Sequence, residues 1–303
     1  MTTWLKRWIY SGIEANFLGG CSNYNSLKTR KSCRSKKQAR QMFAGHGIPH
    51  AKGAVFYGPL TPFRFVREHG FPVVVKPNVG GFSRGSHFPI TSYWELFKAV
   101  VLVKIWWPSS VIETYLKGKN YRIVLVREGI MSVIRRYPPF VVGDGRASIS
   151  ELIDRENLAR KQLGLLPVIH TIRKNAGIAR YLKKQGLSFS SVPGKGERIT
   201  LYNRISLAPG GVVETLEPGQ VHEKNRVLLE KILPLFNANI LGVDAIFEKG
   251  IDHPYTDQRA IFLEVNSRPY LKMHDYPRYG EKQNLTRFYN NLNGLAVDQK
   301  DIF

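Results

Sequence analysis

The spacing of apolar and polar side chains divides this chain into short segments of two periodicities. "FPVVVKP" (71–77) is an apolar run closed by Pro77 and predicts a buried strand. "YRIVLVREGIMSVIRR" predicts two strands about the turn Arg127-Glu128-Gly129. "LGVDAIF" and "AIFLEVN" predict two more, the first carrying Asp244 and the second Glu264 and Asn266. Side chains two apart on a strand share a face, so Glu264 and Asn266 stand together on a mostly apolar strand. That arrangement is costly unless they bind something. Helical signals lie between the strands. "KKQARQMFAGHG" predicts a short helix stopped by Gly47 and Pro49. "TSYWELFKAVVLV" places Leu96, Phe97 and Val100 on one face behind a capping-box pair, Ser92 and Glu95. Ser148 and Glu151 open "SISELIDRENLARKQLG" in the same way, and "NRVLLEKILPLF" predicts a further helix. Strands and helices mix without a regular β-α-β repeat, which predicts an α+β fold.

Composition adds bounds. With 303 residues, 43% apolar and 22% charged, the chain suits a soluble globular protein of one or two domains. No run approaches the ~18 apolar residues of a membrane span. The opening "MTTWLKRWIYSGIEANFLGG" is broken by Lys6, Arg7 and Glu14 and makes a poor signal peptide. Cys21 and Cys33 form no disulfide framework and have no metal-ligand spacing, which points to a reducing, cytoplasmic setting. Charge changes the picture more. The 45 basic and 23 acidic residues give +22, and residues 1–52 hold ten Lys or Arg against the single acid Glu14. Such an excess favours anionic partners: nucleotides, acidic peptides, nucleic acid or a membrane surface.

Three stretches carry candidate chemistry. "VVVKPNVGGFSRGS" (73–86) delivers Lys76 from a strand to a loop with Gly80, Gly81 and Gly85. Glycines let backbone N–H groups approach phosphate oxygens while a lysine neutralises them, although a plain surface turn reads similarly. It is no Walker A loop, because Gly-Lys-Ser/Thr is missing. Gly81-Phe82-Ser83-Arg84-Gly85 matches G-x-S-x-G in form, but Pro77 and a loop separate Ser83 from the strand, against a hydrolase elbow. No H-R-D or D-F-G follows, against a kinase. In "VIETYLKGKNYRIVLV", Glu113 closes an apolar run where a strand passes into a linker, a place from which an adenine edge can be read. Taken alone it also reads as a surface carboxylate. Asp244, Glu264 and Asn266 offer three oxygen ligands on two strands that can pair. Mg²⁺ takes one or two carboxylates together with nucleotide phosphates.

The order of these parts resembles the ATP-grasp superfamily. "YRIVLVREGIMSVIRRYPPFVVGDGRASISELID", "GLSFSSVPGKGERITL", "LAPGGVVETLEPGQVH" and "LEVNSRPYLKMHDYP" are similar to the ligase domain of cyanophycin synthetases and bifunctional glutathione synthetases. The similarity covers roughly residues 32–280, and V-V-G-D-G-R before a helix is its most specific phrase. It implies an ATP-grasp fold in which ATP lies between two α+β subdomains, one a mobile lid. A short basic segment, 1–31, would precede a lid at about 45–116 and a core at about 117–303. It implies an ATP-dependent carboxylate–amine ligase forming an amide or peptide bond through an acylphosphate, with release of ADP and phosphate.

Carried over position by position, the resemblance puts Lys36 and Lys76 on phosphates and Arg84 and Gly85 in the lid loop. Glu113 and Leu116 bracket the adenine linker, and Asn120 stands at the ribose. Asp244, Glu264 and Asn266 become ligands to two Mg²⁺ ions, with Mn²⁺ as a substitute. Arg122, Arg268, Lys272 and His274 become catalytic groups for a substrate carboxylate or the acylphosphate. The implied substrates are amino acids or acidic peptides, with a homo-oligomer or partner protein in prospect and neither membrane nor nucleic acid expected. Several positions depart from the family. Asn120 replaces an acid, Ser83 a glycine, Arg268 a small residue, and Pro269-Tyr270 stands for Pro-Gly. These leave open a degenerate nucleotide-binding or regulatory protein, and the charge alone leaves open a basic nucleic-acid binder.

Overall fold

A computed structural model of the chain describes residues 24–33, 35–78 and 85–295. They fall into two units. One holds residues up to Val133, Glu217–Tyr270 and the stretch from Asn284, and the other holds Ile134–Leu216 and Leu271–Gln283.

The first unit opens with α1 (Leu27–Ser32) and α2 (Lys36–Gly45), and Gly47 at φ 66° follows the end of α2. It then builds a four-stranded antiparallel sheet from β1 (Gly53–Phe56), β2 (Val73–Pro77), β3 (His87–Ile90) and β4 (Ser110–Thr114), in the order β1-β4-β2-β3. Two helices, α3 (Leu60–His69) and α4 (Tyr93–Trp106), cover one face. The Ser92 hydroxyl caps α4 by accepting the Glu95 N–H, and the Glu95 carboxylate takes the N–H and hydroxyl of Thr91. Period-two alternation sorts the strands. Phe56, Val73, Val75 and Ile112 pack under Leu96, Ala99, Val100 and Val103. Glu113, level with Val74, and Lys76 take the other face. Phe97, expected beside Leu96 and Val100, is 49% exposed. A residue turns about 100° around a helix, so Phe97 leaves the sector that Leu96, Val100 and Val103 share.

The second sheet runs β11-β10-β5-β6-β9. Here β5 (Lys119–Val126) and β6 (Gly129–Tyr137) form the expected hairpin, and β10 (Ile240–Phe247) lies between β5 and β11 (Ala260–Asn266). The last strand is β9 (Val212–Leu216). Helix α2 packs on the β11 side through Phe43, whose ring lies 6.2 Å from both Phe236 and Phe262. The β10–β11 ladder slips by one residue. Asp244 faces Glu264, but Ala245 faces Phe262, so Leu263 is extra. Regular alternation would put Glu264 on the core side with Phe262. The bulge turns it, and Asn266 with it, to the opposite face.

The predicted helix over 225–236 breaks into α7 (Glu223–Glu230) and α8 (Ile232–Leu235). Pro234 has no N–H to give back to Glu230, which ends the regular ladder. The second unit holds α5 (Ile149–Gln162), α6 (Ala176–Lys183), and the two-stranded ladder of β7 (Phe140–Val142) and β8 (Arg198–Thr200). Ile149, Ile153, Ile178, Leu182 and Ile199 form its core. The V-V-G-D-G-R phrase is a turn that starts α5. Asp144 accepts the N–H groups of Ala147 and Arg146, which hold its carboxyl down at about 2, and Ser148 with Glu151 completes a capping box. The described elements end with α9 (Lys272–Asp275) in the second unit and α10 (Thr286–Asn293) in the first.

Two measurements check this packing. Ile153 is fully buried and Leu158, on the same helix, is 55% exposed. Denaturant unfolding should show Ile153→Ala costing about 2–5 kcal/mol and Leu158→Ala less than about 0.5 kcal/mol. The Asp144 carboxyl is depressed in the folded state, so its contribution is complete above the unfolded value of about 4. It fades as pH falls toward 2. The stability gap between wild type and Asp144→Asn should therefore be constant near neutrality and close between about pH 4 and 2.

Candidate active site

In the second sheet, Asp244 on β10 faces Arg122 on β5 and Glu264 on β11. Residues directly opposite in an antiparallel ladder project to one face, so Arg122, Asp244 and Glu264 form a polar row across three strands. The next rung sets Gly242 between Val124 and Asn266, and Asn120, two residues before Arg122, joins the same face. Arg122 grips Asp244 with two parallel bonds, Nε to Oδ1 and Nη2 to Oδ2, the latter 2.9 Å, and both residues are buried. A Cβ at position 242 would come within 2.9 Å of Pro269 and 3.3 Å of the Arg122 side chain, so a glycine leaves the guanidinium its path.

Helix α2 brings cations to this row. Lys36 lies in its first turn, behind the Ser35 cap, with Nζ 3.5 Å from Glu264 Oε2. One turn later Arg40 donates to Glu113 Oε1 at 3.0 Å, and Lys76 meets Glu113 Oε2 at 2.6 Å. Glu113 is only 4% exposed, and both its oxygens are held by cations. Gly53 faces it across the ladder, where a Cβ would stand 2.6 Å from Arg40 Nη1 and 2.7 Å from Glu113 Cγ. Side chains four apart on a helix are neighbours, about 6 Å between Cβ atoms, so Lys36 and Arg40 act as one pair of arms. The sequence reading found Lys36 and missed Arg40, although the i+4 spacing was there to be used. It also missed Asn78, for which no pattern argued. The Asn78 side chain accepts the Lys37 N–H and donates to Ser109 Oγ, while its carbonyl accepts the Lys36 N–H. This ties the end of β2, which carries Lys76, to the start of α2.

The remaining expected residues are spread more widely. Arg84 lies outside the described residues. Gly85 has φ 70°, and a Cβ there would fall 2.4 Å from the Trp107 ring, so both backbone and packing call for glycine. Leu116 is buried just after β4. Arg268 follows β11, and burial pulls its guanidinium below the ordinary range. Lys272 is exposed and His274 fully buried on α9, in the second unit. The first unit thus gathers Lys36, Lys76, Glu113, Asn120, Arg122, Asp244, Glu264 and Asn266, while Lys272 and His274 belong elsewhere.

Among the described residues no group of three or more His, Cys, Asp or Glu side chains forms a ready-made metal cage. Two facing carboxylates and an amide nevertheless suit a hard divalent cation that draws its other ligands from phosphates. Asn266 Nδ2 is buried with no hydrogen-bond partner, so this amide is not committed to the protein's own network. Each carboxylate of the site is matched by a cation, as burial demands. Lys36, Arg40, Lys76 and Arg122 outnumber Glu113, Asp244 and Glu264 by one positive charge, which favours a polyanion.

No protein-family model matches the chain. It is similar to the cyanophycin synthetase of Crocosphaera subtropica, with 27% identity over 276 residues, 87% of this chain and 30% of that protein. It is also similar to the bifunctional glutathione biosynthesis protein of Clostridium perfringens, with 28% identity over 225 residues, 73% of this chain and 28% of that one. The chain therefore spans less than a third of the length of these relatives. The crystal structure of a bifunctional glutathione synthetase from Pasteurella multocida superposes with a TM-score of 0.65 at 22% identity, covering 91% of this chain and 38% of that one. The chain has the α+β ATP-grasp fold, and its homologues are ligases of the cyanophycin and glutathione synthetase type.

Glu113 is the linchpin of the α2 arrangement. Glu113→Gln leaves Arg40 and Lys76 facing each other without their counter-ion, which should lower stability by about 3–5 kcal/mol. Inorganic phosphate should restore part of the loss by pairing the two cations. Thermal melts with and without phosphate check both statements, and equal melting of the variant and wild type would contradict them.

Proposed function

We propose that this chain is an ATP-dependent carboxylate–amine ligase that joins an amino acid or acidic peptide to an amine through an acylphosphate. The observation that carries the reading is the row Arg122–Asp244–Glu264 with Lys36 in reach of it. The ligase activity of the homologues supports the reaction class. In this reading the lid is about residues 45–116 and the core about 117–303, with ATP between them.

Asp244, Glu264 and Asn266 would hold the divalent ions, two Mg²⁺ in the full form. Once bound, Mg²⁺ neutralises phosphate charge as the γ-phosphoryl group moves. The chain's own groups do the rest. Lys36 and Lys76 turn from Glu264 and Glu113 to phosphate oxygens, exchanging one anion for another without ever standing uncompensated. Arg40 stays with Glu113 and keeps that carboxylate neutralised. Arg122 and Arg268 orient the substrate carboxylate for attack on phosphorus and then hold the acylphosphate for the amine. Catalysis then rests on positioning and charge, with no protein nucleophile. Acidic substrates and a cytoplasmic setting belong to the same reading, supported by the +22 charge and by the two cysteines.

A second reading, a nucleotide-binding protein without turnover, is favoured by Asn120, which lies buried on the polar face where the family has an acid. One experiment separates the two. Mg-ATP with pools of amino acids or acidic peptides should release ADP at a rate that depends on the pool. Glu264→Ala should lose about 100-fold or more of that rate. Calorimetry should in parallel show Mg-dependent ATP binding by the wild type. ATP binding without turnover on any pool would select the second reading. Turnover unchanged by Glu264→Ala would sink the site.

A further inference from the structure

Helix α4 carries apolar side chains on its outer side as well as on the side that packs, broken by Glu95, Lys98 and Lys104. Leu96, Ala99, Val100 and Val103 pack on the four-stranded sheet. The side turned away from the sheet carries Trp94, Phe97, Val101, Leu102 and Ile105, between 46% and 62% exposed, and ends at Trp106, 76% exposed. A helix of this kind is normally buried on both sides. The patch continues past the helix end, where Lys104 Nζ lies 6.0 Å from the Tyr57 ring and Leu60 follows, 73% and 77% exposed respectively. From the usual size of such side chains the open apolar surface is about 1,000 Å², well beyond the few hundred Å² of an ordinary monomer. Ion pairing does not fill it, since Lys98 merely lies over the Trp94 ring at 4.6 Å.

We propose that this face joins two copies of the chain, α4 against α4, about a two-fold axis. Three observations select a second copy as the occupant. Covered whole, an area of that order matches the ~800 Å² per partner of a standard stable interface. The stripe is also self-complementary. Trp94, Val101 and Ile105 recur at helical spacing along the 14-residue helix, with the small Val101 near its middle. In an antiparallel pair the Trp94–Phe97 end of one copy therefore meets Leu102, Ile105 and Trp106 at the other end of its partner helix. Trp94 and Phe97 already stack, with ring centroids 5.8 Å apart and planes 9° from parallel, so the anchor is pre-formed. Finally, the rim charges are mixed. Exposed Arg64, Arg67 and Glu68 on α3 and exposed Glu95 and Lys98 on α4 carry both signs, which suits a protein face better than an anionic lipid surface. The helices lie on the side of the sheet away from Lys76 and Glu113, so pairing them leaves the charged face uncovered.

Sedimentation equilibrium of the full chain tests this. The wild type should run at twice the chain mass at micromolar concentration. Trp94→Glu with Ile105→Glu should weaken the dimer about 100-fold or more, while far-UV circular dichroism stays unchanged. A second measurement needs no disruptive change. In a Cys21→Ser background, Val101→Cys should crosslink efficiently with a short bismaleimide, and Leu158→Cys, exposed on α5, should not. A wild type that stays single at ~100 µM overturns the proposal. So does a dimer that survives both glutamates, crosslinking equal at the two positions, or a monomer that instead sediments with lipid vesicles.

Discussion

The candidate site depends on a one-residue slip between two strands. Leu263 has no partner in the β10–β11 ladder, and from that point on every side chain of β11 is turned over. Phe262, before the slip, packs against Phe43 and Phe247, while Glu264, after it, faces Asp244 on the opposite side. A regular strand of the same composition would bury the Glu264 carboxylate among aromatic rings, where nothing could offset its desolvation. The bulge resolves that conflict and completes the row of Arg122, Asp244 and Glu264 in one step.

Around this row the protein balances charge before any ligand arrives. Buried carboxylates are tolerable only beside cations, and the fold supplies them from three directions: Arg122 from the neighbouring strand, Lys36 and Arg40 from α2, and Lys76 from the first sheet. Helix α2 is the mechanical link, since its two cations one turn apart reach Glu264 and Glu113. Glycines at 53 and 242 give the two arginines their space. The arrangement is stable as it stands, and it is also easily exchanged. In the proposed reading a polyphosphate replaces the carboxylates beside the lysines, and a divalent ion replaces the cations beside Asp244 and Glu264, which releases Arg122 for a substrate carboxylate.

Much of this was legible from residues alone, for physical reasons. Polar side chains two apart on an apolar strand announce a ligand, and Lys76 before a glycine-rich loop announces an anion. The α+β class followed from the irregular mixture of strands and helices, and the fold from the resemblance to a known family. What escaped depends on partners far apart in sequence. No local pattern says that Asn78 ties β2 to α2. The bulge at Leu263 was invisible because strand periodicity assumes a regular ladder. Phe97 looked like a core residue because its neighbours are, and only the packed helix shows it pointing outward. Pro234 and the i+4 spacing of Lys36 and Arg40 were local signals that were available and not weighed, and Pro234 divides the helix at 231.

The central claim is that Asp244, Glu264 and Asn266 exchange their present environment for a divalent ion carrying ATP. A crystal structure with Mg²⁺ and a non-hydrolysable ATP analogue tests it most directly. The account predicts an ion about 2.1 Å from oxygens of these side chains and of the phosphates, with Lys36 and Lys76 moved onto phosphate. A nucleotide bound elsewhere, with Arg122 still gripping Asp244 in two bonds and Lys36 still beside Glu264, would contradict it.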